Sequence, residues 1–305
     1  MNNFKSGFVS LIGRPNVGKS TFINHVLGQK ISIISPKPQT TRNKINGVYT
    51  TDNEQIIFID TPGIHKAHHE LGEFMNKESL STLSDVDLVL LLIDGTEKFG
   101  SGDEFVLSQL KKAKSKVILV VNKIDLVKDS KDKEKLLENI LKFEKAFEFE
   151  EIFYISALNG TNVDKLMQAI TNRLEDGPMY YPVDQVSDHP ESFIICEIVR
   201  EKVLTLTKEE VPHSVAVVME EMKHNEDNPN LIDIRCVIVV ERQSQKKIII
   251  GSKGSMIKEI GTLARKDLVM LLGQKVYLEL WVRVENDWRN RPNQLKKFGY
   301  FQQDE

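Results

Sequence analysis

Gly13-Arg14-Pro15-Asn16-Val17-Gly18-Lys19-Ser20 decides how this chain is read. It satisfies GxxxxGK[ST] and follows the apolar run FVSLI (8–12), where a strand would give way to a helix beginning Lys19-Ser20-Thr21. Glycines at the two ends let successive backbone N–H groups curl around phosphate oxygens, and a helix N-terminus adds positive potential. In that arrangement Lys19 reaches the β- and γ-phosphates, and the Ser20 hydroxyl is placed for Mg²⁺.

Outward from this loop, four further apolar runs follow: QIIFID (55–60), DLVLLLID (87–94), KVILVVN (116–122) and EIFYIS (151–156). Such Val/Ile/Leu-rich runs suit strands buried on both faces of a mostly parallel sheet. Helical patterns lie between them, with Phe105, Leu107 and Leu110 in one, and Leu136, Leu137, Ile140 and Leu141 in another. The alternation predicts a doubly wound α/β domain that binds ligands at the strands' carboxyl ends. The sequence places further motifs there. Asp60-Thr61-Pro62-Gly63 closes one run, with Asp60 suited to Mg²⁺ and the Gly63 N–H to a γ-phosphate. Asn122-Lys123-Ile124-Asp125 closes another, and Ser156-Ala157-Leu158 the next. The Asp125 carboxylate can accept from guanine N1–H and its exocyclic amine, whereas adenine offers an acceptor there and is rejected. Lys123 can lie along the base plane, Asn122 can tie loops together, and the Ala157 N–H can meet guanine O6.

These motifs resemble the translation-factor-like family of small GTPases over residues 7–175. The resemblance implies a switch-loop threonine within Pro38-Gln39-Thr40-Thr41-Arg42, ahead of the strand-like KINGVYTT. Thr41 is the expected Mg²⁺ ligand beside Ser20 and Asp60, with Thr40 the alternative. Lys19, Asn16, Thr41 and Gly63 are the expected catalytic set. GTP and GDP are the implied ligands, contacted by residues 13–21, the DTPG turn, Asn122, Lys123, Asp125 and Ser156 to Leu158. One departure concerns Ile64, which stands where Ras-like GTPases carry the glutamine that orients water. Asn16 resembles the P-loop asparagine of potassium-activated GTPases, so K⁺ is implied as a further ligand; the alternative is a side chain that caps the loop. His65, His68 and His69 lack ligand-spaced partners and read as solvated surface histidines.

Residues 175–192 (EDGPMYYPVDQVSDHPES) carry three prolines and no apolar period, as a linker would. The expected division is 1–175, a connecting 176–192, and 193–305. In the last part FIICEIVREKVLTL (193–206) suits a helix with Ile195, Ile198, Val199 and Val203 on one stripe. Strand patterns follow at 214–222 and 231–242, then a long helix with Ile257, Ile260, Leu263, Ala264 and Leu268 inward, then an alternating strand at 275–284. Between the last helix and a shorter one lies Ile250-Gly251-Ser252-Lys253-Gly254. This order, with its GxxG, resembles a type II KH domain, a smaller α+β fold in which the loop lets an RNA backbone approach closely. Seven basic residues, Arg242, Lys246, Lys247, Lys253, Lys258, Arg265 and Lys266, stand there against Glu259 alone, in a chain of net charge −3. Basic side chains of that kind supply phosphate affinity.

Taken together, a G domain followed by a type II KH domain, with GRPNVGKS, PQTTR, DTPG, NKID and KKIIIG-KG, resembles the Era family of bacterial ribosome-assembly GTPases. That resemblance implies hydrolysis of GTP, binding near the 3′ end of small-subunit (16S) rRNA, and a role in assembling the 30S subunit. It also implies a cytoplasmic monomer with a peripheral fraction on the inner membrane. Composition agrees with a cytosolic protein: no run nears the ~20 apolar residues of a membrane span, and Cys196 and Cys236 form no metal-spaced cluster. A rival reading is an RNA-binding assembly module that holds GTP as a structural ligand.

Overall fold

The computed structural model describes residues 4–37, 39–66, 69–83, 85–111 and 113–300. By contact density the chain forms two compact units. The first holds Met1–Ser32, Thr41–His68 and Gly72–Asp188; the second holds Ile33–Thr40, His69–Leu71 and His189–Glu305.

In the first unit the elements are β1 (Lys5–Ile12), α1 (Lys19–Leu27), β2 (Ile45–Thr50), β3 (Glu54–Asp60), α2 (Glu70–Ser81), β4 (Leu88–Asp94), α3 (Ser101–Leu110), β5 (Lys116–Asn122), α4 (Ser130–Ala146), β6 (Glu151–Tyr154) and α5 (Val163–Thr171). The sheet order is β2-β3-β1-β4-β5-β6. β2 runs antiparallel to β3, and the other pairs are parallel. Every residue of β4 is buried, as a strand covered on both faces requires. Two helical stripes differ from expectation. In α3 Val106, Leu107 and Leu110 face the core while Phe105 is exposed. In α4 Leu136, Ile140 and Phe143 are buried, whereas Leu137 and Leu141 are exposed. Residues 175–188 lie against the first unit's edge. Gln55 Oε1 accepts from the N–H groups of Tyr180 (2.7 Å) and Tyr181 (3.0 Å), and Val48 N–H donates to the Val186 carbonyl.

In the second unit α6 (Glu191–Leu206), β7 (Ala216–His224), β8 (Leu231–Val240), α7 (Gln243–Ile250), α8 (Ser255–Leu272), β9 (Lys275–Val284) and α9 (Pro292–Lys297) follow in order. β7 pairs antiparallel with β8, and β9 parallel with β8. The helices bury Ile195, Ile198, Val199, Val203, Ile249, Ile260, Ala264 and Leu268 against Ile232, Ile234, Cys236, Ile238 and Val240 of β8. Leu263, expected inward, is exposed, and Ile257 is half-buried. Trp288 is fully buried and donates from Nε1 to the Ser214 carbonyl at 3.0 Å.

Candidate functional site

All four motifs of the first unit follow the carboxyl ends of parallel strands: the glycine loop after β1, DTPG from the end of β3, NKID from the end of β5, and Ser156 to Leu158 after β6. Gly18 takes φ 101° at the start of α1, and a Cβ there would stand 2.2 Å from Asn122 Nδ2. No side chain fits that position. Pro15 and Gly63 are in close packing, since a Cβ on Gly63 would lie 2.5 Å from Pro15 N. Thr61 Oγ1 donates to the Leu11 carbonyl at 2.6 Å, fixing the DTPG turn to β1.

Lys19 is buried and donates to the carbonyls of Gly13 (3.2 Å) and Arg14 (3.1 Å). Burial lowers its pKa to about 8, against a raising influence of Asp60. Asp60 is fully buried, and desolvation pushes its carboxyl up, opposed by Lys19 and by hydroxyl donors. Its Oδ2 accepts from Ser20 Oγ at 2.8 Å and from Ser32 Oγ at 2.7 Å. Its Oδ1 is buried without a hydrogen-bond partner. Thr41 Oγ1 lies 3.0 Å from Ser20 Oγ, whereas Thr40 Oγ1 donates to the Lys37 carbonyl at 2.6 Å. Two oxygens about 3 Å apart have the separation of adjacent ligands on an octahedral ion with bonds of about 2.1 Å. The Asp60 carboxylate, whose Oδ2 is 2.8 Å from Ser20 Oγ, adds to this pair and makes a donor set of hard oxygens, which fits Mg²⁺.

Asn122 ties the base-side loops: its Nδ2 donates to the Val17 carbonyl at 2.8 Å, and its Oδ1 accepts the Ala157 N–H at 2.9 Å. That second bond engages the same N–H that the sequence assigns to guanine O6. Lys123 adopts φ 64° and its ammonium meets Asp94 Oδ2 at 2.6 Å. Burial alone would raise the Asp94 pKa, but Lys123 and Thr96 outweigh it and the net shift is downward. Asp125 sits in the short turn Ile124–Leu126 directly after Lys123. Arg14 pairs with Glu97 (2.9 Å) and Asp103 (3.3 Å), so its guanidinium is engaged by carboxylates beside the loop. Asn16 is exposed at φ 63°. Ile64 is buried among apolar side chains, its N–H bonded to the Gly13 carbonyl at 3.2 Å. His65 Nδ1 is 2.8 Å from the Gly63 carbonyl, His69 is exposed, and His68 lies outside the described residues, as does Pro38 of the switch segment. Sequence reasoning missed Ser32, Asn24 and Asp94, which belong to no motif.

In the second unit the GxxG joins α7 to α8. Gly251 takes φ 71°, Lys253 49° and Gly254 78°. Gln245 starts α7 by accepting from the N–H groups of Glu241 (2.9 Å) and Arg242 (3.0 Å). Ser252, Lys253, Lys247, Lys258, Arg265 and Lys266 are exposed, and Ile250, Gly251, Gly254 and Lys246 are half-buried. The predicted basic face is therefore present around the loop. Among the described residues no helix is long and apolar enough to cross a membrane.

Residues 8–123 match the family model of the 50S ribosome-binding GTPases, and residues 210–289 match that of the KH domain. A solved structure of a variant of Aquifex aeolicus Era bound to GDP and AlF4⁻ is 44% identical, with a TM-score of 0.92, and the match covers 98% of this chain and 100% of that one. An Era structure in complex with MgGDPNP and nucleotides 1506–1542 of 16S ribosomal RNA matches at the same identity, TM-score and coverage. With a P-loop site at one end, a KH fold at the other and this likeness along its length, the chain belongs to the Era family of GTPases.

Proposed function

We propose that this chain hydrolyses GTP to GDP and phosphate, and that it binds small-subunit rRNA near the 3′ end while the 30S subunit assembles in the cytoplasm. The observation that carries the enzymatic part is the convergence of Ser20, Thr41 and the Asp60 carboxylate beside a buried lysine. Ser20, Thr41 and Asp60 would hold Mg²⁺, which when bound draws charge from the β- and γ-phosphate oxygens. Residues 13–21 cradle the phosphates with backbone N–H groups, and Lys19 turns from its two carbonyls toward them. Gly63 donates its N–H to the γ-phosphate, and Asp125 reads the guanine edge while Lys123 flanks the base. We assign nucleotide binding to 1–175 and RNA binding to 193–305, joined by 176–192. Ile250, Gly251, Ser252, Lys253 and Gly254 form the RNA-backbone cradle, with Lys246, Lys247, Lys258 and Arg265 as phosphate contacts.

Ile64 offers no polar atom, and its burial keeps it from orienting water. Asn16, exposed at the bend of the phosphate loop, is assigned to hold a K⁺ ion, which would supply positive charge to the transition state in place of an arginine finger. Single-turnover hydrolysis in K⁺ and in Na⁺ at equal ionic strength, with and without the rRNA 3′ end, tests this reading. The expected outcome is faster hydrolysis in K⁺ that Asn16→Ala abolishes. Equal rates in the two salts remove the cation from the mechanism. Absence of hydrolysis under every condition leaves GTP as a structural ligand only.

A further inference from the structure

Ser32 stands at the start of the stretch between α1 and β2, and its side chain is fully enclosed, with 1% exposure. Its hydroxyl donates to Asp60 Oδ2 at 2.7 Å. Its own backbone is held from both sides by one residue of α1. Asn24 Oδ1 accepts the Ser32 N–H at 3.0 Å, and Asn24 Nδ2 donates to the Ser32 carbonyl at 2.7 Å. The same Oδ1 accepts the Ile31 N–H at 3.0 Å. A side chain on a rigid helix therefore clamps a loop, and the loop presents a hydroxyl to a buried carboxylate. Asp60 takes both of its donors, Ser20 and Ser32, on one oxygen and leaves the other bare.

We infer that Ser32, clamped by Asn24, is a positioning residue for Asp60: it pins Oδ2 and so holds the carboxylate's rotation beside the Mg²⁺ position. The inference rests on the proposed reading of Asp60 as part of the Mg²⁺ site. Ser20 alone cannot serve this purpose, because its oxygen is itself a member of that donor set. A hydroxyl that is not a member, anchored by its own backbone, holds the carboxylate's rotation whether or not the ion is present. Outer partners of metal-orienting groups are worth about 10- to 100-fold in metal affinity.

The test measures retention of a fluorescent GDP analogue by the full chain across a Mg²⁺ titration, with a matched measurement in excess chelator. Ser32→Ala should raise the Mg²⁺ concentration for half-maximal retention by about tenfold. Retention in chelator should be unchanged, since Ser32 touches no P-loop atom in the hydrogen-bond network described above. Asn24→Ala should shift the midpoint in the same direction, and the double variant should add little to Ser32→Ala, because Asn24 acts through Ser32. A midpoint within twofold of the wild type for Ser32→Ala overturns the inference. So do additive effects in the double variant, or a loss of retention in chelator as large as that in Mg²⁺, which would mark Ser32 as ordinary packing. If the wild type itself shows no Mg²⁺ dependence, the reading of the Asp60 site fails instead.

Discussion

Lys19 holds the least comfortable charge in the nucleotide site. It is buried, bonded to two carbonyls, and its pKa has fallen to about 8. Phosphate oxygens placed beside it favour the charged form and raise that value again. Below pH 8 the ammonium is already protonated, so binding of GDP exchanges no proton with it. Above pH 8 the free protein has lost the proton, and binding must recover it from solution. GDP affinity should therefore be flat below pH 8 and fall above it, by up to about tenfold per pH unit. Calorimetry in two buffers of different ionisation enthalpy should show proton uptake at about pH 9 and none at about pH 6.5. Equal heats in both buffers at the higher pH would mean that Lys19 keeps its charge when buried. At this scale the motif residues were legible because phosphate and guanine chemistry demands them in contiguous stretches. Ser32 and Asp94 were not, since their partners lie 28 and 29 residues away and no local pattern announces either pair. The Asn122 contact to the Ala157 N–H was illegible for a related reason: the two residues are 35 apart.

Among the elements, α6 carries the most exacting polar contact. Arg200 is fully buried, its guanidinium pairs with Glu197 at 2.5 Å, and it donates to the Thr40 carbonyl within the same unit. Burial lowers the pKa of such a group, but Glu197 outweighs it and holds the charge. Glu197→Ala strands that guanidinium and should destabilise the C-terminal unit by about 3 kcal/mol or more. Replacing Arg200 and Glu197 together with Met and Leu should be milder than Glu197→Ala, because no charge is then buried alone. Urea unfolding followed by the buried Trp288 measures both; a single-variant loss below about 1 kcal/mol would show that water reaches the guanidinium. The strands were legible as apolar runs, and in β8 the alternating Ile232, Ile234, Cys236, Ile238 and Val240 are buried as expected, with Val237 and Val239 buried as well. Helical phase was harder. Leu136-Leu137 and Ile140-Leu141 are apolar doublets shared between two faces, and Phe143, seven residues after Leu136, is what separates them. The face that turned inward is the one bearing Asn139, which accepts the Phe99 N–H at 3.2 Å and donates to the Glu97 carbonyl at 3.0 Å. Asn139 adds these polar contacts to the face that Leu136, Ile140 and Phe143 bury, and hydrophobic patterning does not register them.

For the molecule as a whole, the question is whether the GxxG loop meets RNA, and the two glycines are not equivalent tests of it. A Cβ on Gly251 would stand 2.8 Å from the Met256 backbone nitrogen, at φ 71°, so a side chain there disturbs the start of α8 before any RNA arrives. Gly254 has φ 78° but open space where a Cβ would go. Gly254→Asp therefore adds bulk and negative charge facing the proposed phosphate track, at the expense of local strain of about 1 kcal/mol. It should abolish measurable binding of the 3′ end of 16S rRNA while leaving the fold intact by circular dichroism. Lys253→Ala removes one exposed cation and nothing from the core. Binding should weaken modestly for every RNA sequence, and the slope of log affinity against log salt should fall by about 0.7 for a single-stranded target. Neither change should alter GDP affinity, since the P-loop and the GxxG belong to different compact units. The measurement is RNA binding by the GTP-loaded chain over a salt series, beside GDP binding by the same preparations. Undiminished RNA binding by Gly254→Asp, with an unchanged salt slope for Lys253→Ala, would reduce the GxxG to a turn between two helices and leave the basic face of α8 without its proposed ligand.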